Sequence, residues 1–384
     1  MSDCIMTACD LHDRSLVLKL ARGTEQPTHR VFGNDRPGRE AMKRELLARA
    51  KAAGGARIVF AYEASSQGFG LYDELTEAGI TCHVLAPTHL PRSPRSERRK
   101  TYARDALTIL EVLRGHLLAG NELPTVWIPD RTTRDDRELV RARLDAGDKL
   151  TKLKVQVQSL LKRHGLRWSG AHGSWTNLHC RWLADLAEGR CVPEVESGVS
   201  WGTGAIGALG SLMRQLKSLE GEVAILDASI ESLAEEPRYA AAARRVDALK
   251  GVGQLAAMVF LTEIGDLSRF RNRRQLAAYL GLVPSSNESG ERRDRKGHIT
   301  RQGPSRVRKV LCQAFWSAIR SDPKVHLWYA RQVRRNPKIK KIAVVAGMRR
   351  LAIVMWRRGL SGDPPETTPQ PTNKSEAARK RQAA

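Results

Sequence analysis

"CIMTACDLHDRSLVLKLA", Cys4 to Ala21, decides how the front of this chain is read. Two short apolar runs, "CIMTACDLH" and "SLVLKLA", are separated by the turn-like His12–Arg14. Runs of this length and composition read as paired strands. "HRVFG", from His29, adds a third. "PGREAMKRELLARAKAAGG" then has helical spacing, a proline near its start and a glycine pair at its end, the usual punctuation of a helix. "RIVFAYEA" reads as a buried strand, "GFGLYDELTEAG" as a helix and "TCHVLA" as a strand.

Three hairpin-like strands followed by strands alternating with helices is the order of a ribonuclease-H-like α/β domain, expected over residues 1–120. A Pro/Arg-rich loop, "APTHLPRSPRSERR", leads into a helix from about Lys100 with Ala106, Ile109, Leu110 and Leu113 on one face. From Asp130 to His164 the chain is nearly all helical, with an apolar stripe of Leu139, Leu144, Leu150, Leu153, Val157, Leu160 and Leu161. A second long helix is expected from Ile206 to Glu235. The pair reads as an antiparallel coiled-coil linker and dimerisation arm over 121–243. The tryptophan-bearing segment between them, "RWSGAHGSWTNLHCRWLADL", gives no functional signal. Residues 244–358 read as a mainly α, basic C-terminal domain, and 359–384 as a disordered basic tail.

The 384 residues carry a formal net charge of +24, and the excess is spread along the chain. A field of that sign favours a polyanion, most simply nucleic acid. A chromatin-like binder without chemistry would satisfy it equally well. Cys4, Cys9, Cys82, Cys180, Cys191 and Cys312 form no CxxC pair, hence neither a disulfide framework nor a zinc set. Reduced thiols fit a cytosolic protein. No membrane span and no signal peptide are expected.

Three acids suggest chemistry. Asp10 closes the first expected strand, Glu63 closes the fourth, and Asp105 lies on the helix after the loop. Three converging carboxylates repel unless a cation joins them; Mg²⁺ takes oxygen ligands and also clamps phosphate. Each acid could equally cap or solvate an element end. Further on, "DALKGVGQLAAMVF" places Gly251 and Gly253 between helices, a helix-hairpin-helix pattern whose backbone N–H groups can approach a DNA phosphate; an ordinary tight turn is the alternative. Arg292, Arg293, Arg295, Lys296, Arg301, Arg306 and Arg308 give a phosphate-binding density. Within that segment Ser289 precedes Gly290, which leaves the backbone room. A serine hydroxyl needs a base or metal to become a nucleophile, and a solvated turn is the plainer role.

These residues, taken in order, resemble the insertion sequence 110 family of transposases, up to about residue 358. "ACDLH" is similar to its first-strand Asp motif, "VFAYEASSQG" to its Glu motif and "RRKTYARDA" to its Lys-Thr-Asp-x-x-Asp-Ala motif. The stretch from "LKGVGQLAAMVFLTEIGD" through "SRVRKVLCQA" resembles its C-terminal transposase domain. The resemblance implies a RuvC-like domain holding Mg²⁺ on Asp10, Glu63 and Asp105, and a nucleophilic serine at Ser289, with Ser285 and Ser286 as alternatives. It implies donor and target DNA as substrates, a structured noncoding guide RNA, a homo-oligomer, and a nucleoid-associated cytoplasmic protein. One departure stands out: the family's third acid falls at position 102, which is Tyr102 here. The rival readings are a RuvC-like junction nuclease using water, and a catalytically weakened nucleic-acid-binding relative.

Overall fold

A computed structural model of the chain describes residues 4–91, 102–170, 173–190, 201–286 and 296–360. The chain divides into two compact units, one ending at Ile128 and one beginning at Pro129.

The first unit contains β1 (Cys4–Leu11), β2 (Ser15–Arg22), β3 (Thr28–Gly33), α1 (Arg36–Ala52), β4 (Arg57–Glu63), α2 (Gly70–Glu77), β5 (Thr81–Leu85) and α3 (Tyr102–Ala119). The five strands form one mixed sheet in the order β3-β2-β1-β4-β5. The hairpin neighbours β1–β2 and β2–β3 are antiparallel, whereas β1–β4 and β4–β5 are parallel. Thus the five strands expected from the sequence are present, in a mixed α/β unit.

Period-2 alternation sends β1 and β4 side chains to two different cores. Cys9, Phe60 and Tyr62 pack with Met42 and Leu46 of α1 and Leu71 and Leu75 of α2. Met6, Ala8, Val59 and Ala61 pack with Ile109, Leu110 and Leu113 of α3. Both faces being covered, these two strands are almost continuously apolar. The direction of α3 follows from Arg114, which donates to the carbonyl of Glu25. Glu25 lies just beyond the end of β2, and Arg22 there pairs with Ile5 near the start of β1. The C-terminal half of α3 therefore covers the start of β1, and its first turn lies toward the carboxyl ends of the parallel strands.

The second unit contains α4 (Arg131–Arg163), α5 (Asn177–Ala187), α6 (Thr203–Ala234), α7 (Ala240–Asp247), α8 (Gln254–Ile264), α9 (Arg273–Tyr279), β6 (Pro284–Ser286), β7 (Lys296–Ile299), α10 (Ser305–Ser321), α11 (Pro323–Arg335) and α12 (Lys340–Leu360). The short β6–β7 ladder, pairing Pro284 with Ile299, is a strand pair that the sequence pattern does not announce. Three or four residues per strand are too few to show alternation.

Helices α4 and α6 run antiparallel. Arg143 grips Asp227 at 2.7 Å toward one end, and Leu160 and Leu161 pack with Leu209 toward the other. The base of the pair is not separate from the helices that follow. Val140, Leu144, Ile230 and Leu233 share one core with residues of α7, α8, α10 and α12. Polar contacts reinforce that junction. Arg141 makes a two-pronged pair with Glu263 at 2.7 and 3.0 Å, and Arg137 donates to the carbonyls of Thr262 and Glu263. Buried Asp136 accepts from Arg238 at 2.8 Å and from the Tyr239 hydroxyl at 2.7 Å. Desolvation raises its pKa, against the pull of those two donors.

The tryptophan segment closes the far end of the pair. The His179 ring is 2% exposed and sits 5.3 to 5.6 Å from the rings of Trp168, Trp175 and Trp182. Its Nδ1 accepts from the Trp175 backbone N–H at 2.9 Å, and burial lowers its pKa. Among the described residues, no helix is long and apolar enough to cross a membrane.

Candidate active site and nucleic-acid interface

Strand register brings two of the expected acids level. Cys9 lies opposite Tyr62 in the parallel β1–β4 ladder, so Asp10 and Glu63 follow side by side at the strands' carboxyl ends. Adjacent strands lie roughly 4.8 Å apart. Both acids share the parity of Ala8 and Ala61, whose side chains meet α3, so both leave the sheet on the α3 face. Asp105 stands in the first turn of α3, one turn before buried Ile109. Tyr102 opens α3; its side chain is outside the described residues.

The Asp10 side chain is 16% exposed, and its Oδ2 lies 2.9 Å from His12 Nε2. Among the described residues, no group of three or more His, Cys, Asp or Glu side chains is close enough to hold a metal ion. The donor chemistry nevertheless fits Mg²⁺. That ion is commonly held by one or two carboxylates together with substrate phosphates, rather than by an all-protein cage. The level Asp10–Glu63 pair supplies this kind of half-site.

A polar network ties the segments that follow the two acids. Asn34 Nδ2 donates to the His12 carbonyl at 2.6 Å and to Gln67 Oε1 at 2.7 Å. Arg39 Nε donates to Asn34 Oδ1 at 2.8 Å and its Nη1 to Glu74. Gln67 Nε2 reaches Asp13 Oδ1 at 3.3 Å. Asn34 thus joins the turn after Asp10 to the loop after Glu63. Nothing in the sequence marks it, because an Asn-Asp pair before a helix is also an ordinary capping signal. Replacing Asn34 with Ala leaves several partly buried groups without partners, at a cost of about 1–3 kcal/mol. The expected outcome is a lower melting temperature and weaker Mn²⁺ binding, read by metal-dependent thermal shift. Unchanged values of both would mean that the network does not hold the acids.

The C-terminal candidates are placed differently from one another. Ser289, Arg292, Arg293 and Arg295 fall outside the described residues, in the segment joining β6 to β7. Ser286 faces Lys296 in the ladder; their side chains are also outside the described residues. Ser285 donates its hydroxyl to the His298 carbonyl at 2.9 Å. Arg308 has an internal job: its Nη1 donates to the carbonyls of Leu280, Gln302 and Gly303, each at 3.1 Å. That clamps the base of the β6–β7 segment. Arg306 approaches Asp145 on α4 at 3.7 Å. Arg301 takes a left-handed φ of 56°, uncommon for a residue with a side chain.

The two turn glycines also part company. Gly251, at φ +86°, lies so close to α10 that a Cβ would overlap the backbone of Ala318. Gly253 caps α8, and a Cβ there would meet nothing within 4 Å. Packing against protein therefore explains the first glycine, while the second leaves its surroundings open.

Comparisons with known proteins find family models over two separate stretches of the chain. A DEDD-type IS110 model described as "Transposase" matches residues 10–165, and the model "Transposase IS116/IS110/IS902 family" matches residues 243–330. The Sinorhizobium fredii protein y4qE, which carries a transposase name, is 34% identical over 68% of this chain and 58% of its own length. The chain thus spans less than two thirds of that relative. A second S. fredii protein with a transposase name, y4rJ, is 28% identical over 87% of this chain and 86% of its own length. The "Transposase for insertion sequence element IS1111A" of Coxiella burnetii is 25% identical over 72% of this chain and 71% of its own length. All three relatives carry transposase names. Both matched models carry IS110 in their names.

Proposed function

We propose that this protein is the DNA transposase of an insertion sequence, cutting and rejoining DNA through a serine. The observation that carries the reading is the level pair of carboxylates, Asp10 and Glu63, at the ends of two parallel strands, in the region matched by the DEDD-type model. This unit reads as ribonuclease-H-like in strand order, and the α4–α6 pair as the arm through which copies associate.

Asp10, Glu63 and Asp105 would hold Mg²⁺. Bound there, the ion supplies Lewis-acid polarisation of the scissile phosphate and neutralises developing charge. His12, 2.9 Å from Asp10, orients that carboxylate. Ser289 is the nucleophile: its oxygen forms a bond to phosphorus while the bond to the leaving deoxyribose oxygen breaks. The serine loses one proton and the leaving oxygen gains one. The resulting phosphoserine conserves the phosphodiester for rejoining, with no external energy source. Arg292, Arg293, Arg295, Lys296 and Arg301 hold phosphates around the serine, and Gly253 presents backbone N–H groups to another. Sequence choice is delegated to base pairing with a structured noncoding RNA, as in other guided systems.

Trapping tests the chemistry. Incubation with Mg²⁺, the guide RNA and labelled donor DNA is expected to yield a denaturation-resistant protein–DNA adduct that disappears in Ser289→Ala. Nicks with free ends that persist in Ser289→Ala would instead establish hydrolysis by water at the acidic site.

A further inference from the structure

A second strongly charged surface lies far along the chain from the serine segment. Six cations, Arg331, Arg334, Arg335, Lys338, Lys340 and Lys341, fall within eleven residues where α11 turns into α12, and all six are exposed. No Asp or Glu occurs between Pro323 and Leu360. Among the described residues, none of the six has an ion-pair partner. Some cations elsewhere in this unit are neutralised locally: Lys309 pairs with Asp148, Arg143 with Asp227 and Arg238 with Asp136.

Folding does not call for this arrangement. Arg334 and Arg335 suit the negative end of the α11 dipole. Lys340 and Lys341, however, open α12, where the dipole is already positive and no acid sits in the first turn. Cations there cost stability, and so does crowding six like charges at one corner. The turn at this corner is capped: Asn336 accepts from the Lys338 N–H at 3.0 Å. Helix α11 buries no residue completely, so its outer face is available. A second copy of the chain would bring the same charges and be repelled. A dense polyanion relieves the repulsion, and releases its own counterions as it binds.

We infer that the α11–α12 corner grips the phosphate backbone of duplex DNA. This rests on the reading of the protein as a DNA transposase. Because only phosphates are held, the corner carries no sequence preference; it adds affinity and orients the duplex.

The test uses the full chain carrying Arg334→Ala, Arg335→Ala and Lys338→Ala together, with a random-sequence DNA duplex as probe. Fluorescence anisotropy across a NaCl series is expected to show about 10-fold or greater weakening. The slope of log affinity against log salt should fall by about 2 to 3, at roughly 0.9 for each phosphate left without its cation. The melting temperature should stay equal or rise, since the side chains are exposed and the removed charges repel their neighbours, and Arg334→Lys with Arg335→Lys should keep the wild-type slope. Duplex affinity and slope equal to wild type would overturn the inference. So would losses confined to a hairpin RNA probe, which would assign the corner to RNA. Wild-type protein that fails to bind the duplex at all removes the transposase reading and this one with it; wild-type binding that the triple variant retains removes only the corner.

Discussion

Asp10→Asn is expected to lower strand transfer by about 1,000-fold while leaving the protein folded. The substitution keeps the side chain's size and one acceptor oxygen, so the interaction with His12 survives in modified form. What disappears is a full negative charge at the carboxyl end of β1, level with Glu63. If Asp10 serves as a ligand, Mn²⁺ affinity falls with it, because a neutral amide oxygen replaces a carboxylate in a small set of hard donors. Removing one electrostatic stabiliser of the transition state typically costs about 100- to 1,000-fold, and a ligand that also positions the ion lies at the upper end. Stability should move the other way or not at all: removing one of two adjacent acids relieves repulsion between Asp10 and Glu63. The informative pattern is therefore a lost rate and lost metal response with an equal or higher melting temperature. Near-normal strand transfer would remove the acid pair from the chemistry. A lost rate with a collapsed melting temperature would make Asp10 a structural residue.

The acid pair is visible in the sequence because strand ends are local. Apolar runs fix where β1 and β4 stop: β4 ends at Glu63, and β1 ends one residue past Asp10. The helical spans of α4 and α6 are visible too, since a stripe repeated over many turns outweighs noise at the ends. What covers each end of that pair is not. The tryptophans around His179 lie in a segment without period, and their packing is set by three-dimensional closure rather than by spacing. The Asn34 network is equally hidden: Asn34, Gln67 and His12 come from three loops and become neighbours only once the sheet order is set. Charge misleads in a different way. Arg308 and Arg331 look alike in the sequence, yet the first is spent on three backbone carbonyls and the second faces solvent. Density of cations predicts a field; it does not say which guanidinium remains available to a partner.

The same distinction makes Gly251→Ala the variant with the largest expected effect on stability. Gly251 stands out in the sequence because two glycines beside a small apolar residue can admit a phosphate. In the structure the space beside it is filled by the backbone of Ala318 on α10. An added methyl meets backbone, which cannot rotate away, and φ +86° already disfavours any residue with a Cβ. Strain of about 1–3 kcal/mol from the dihedral angle adds to overlap in a core that shares Val252, Phe260, Phe315 and Trp356. A total of about 3 kcal/mol or more is expected, within the range reserved for broken cores. Tryptophan fluorescence of thermal unfolding would report it, because Trp316, Trp328 and Trp356 lie on α10, α11 and α12. Gly253→Ala provides the contrast. Its Cβ points into open space, so the cost should be on the order of 1 kcal/mol or less from the weaker N-cap. Any loss of DNA affinity in Gly253→Ala would then come from the turn's approach to phosphate. Should Gly251→Ala melt like the wild type, α10 must not pack on this turn in solution, and the turn regains both glycines as candidates for holding DNA.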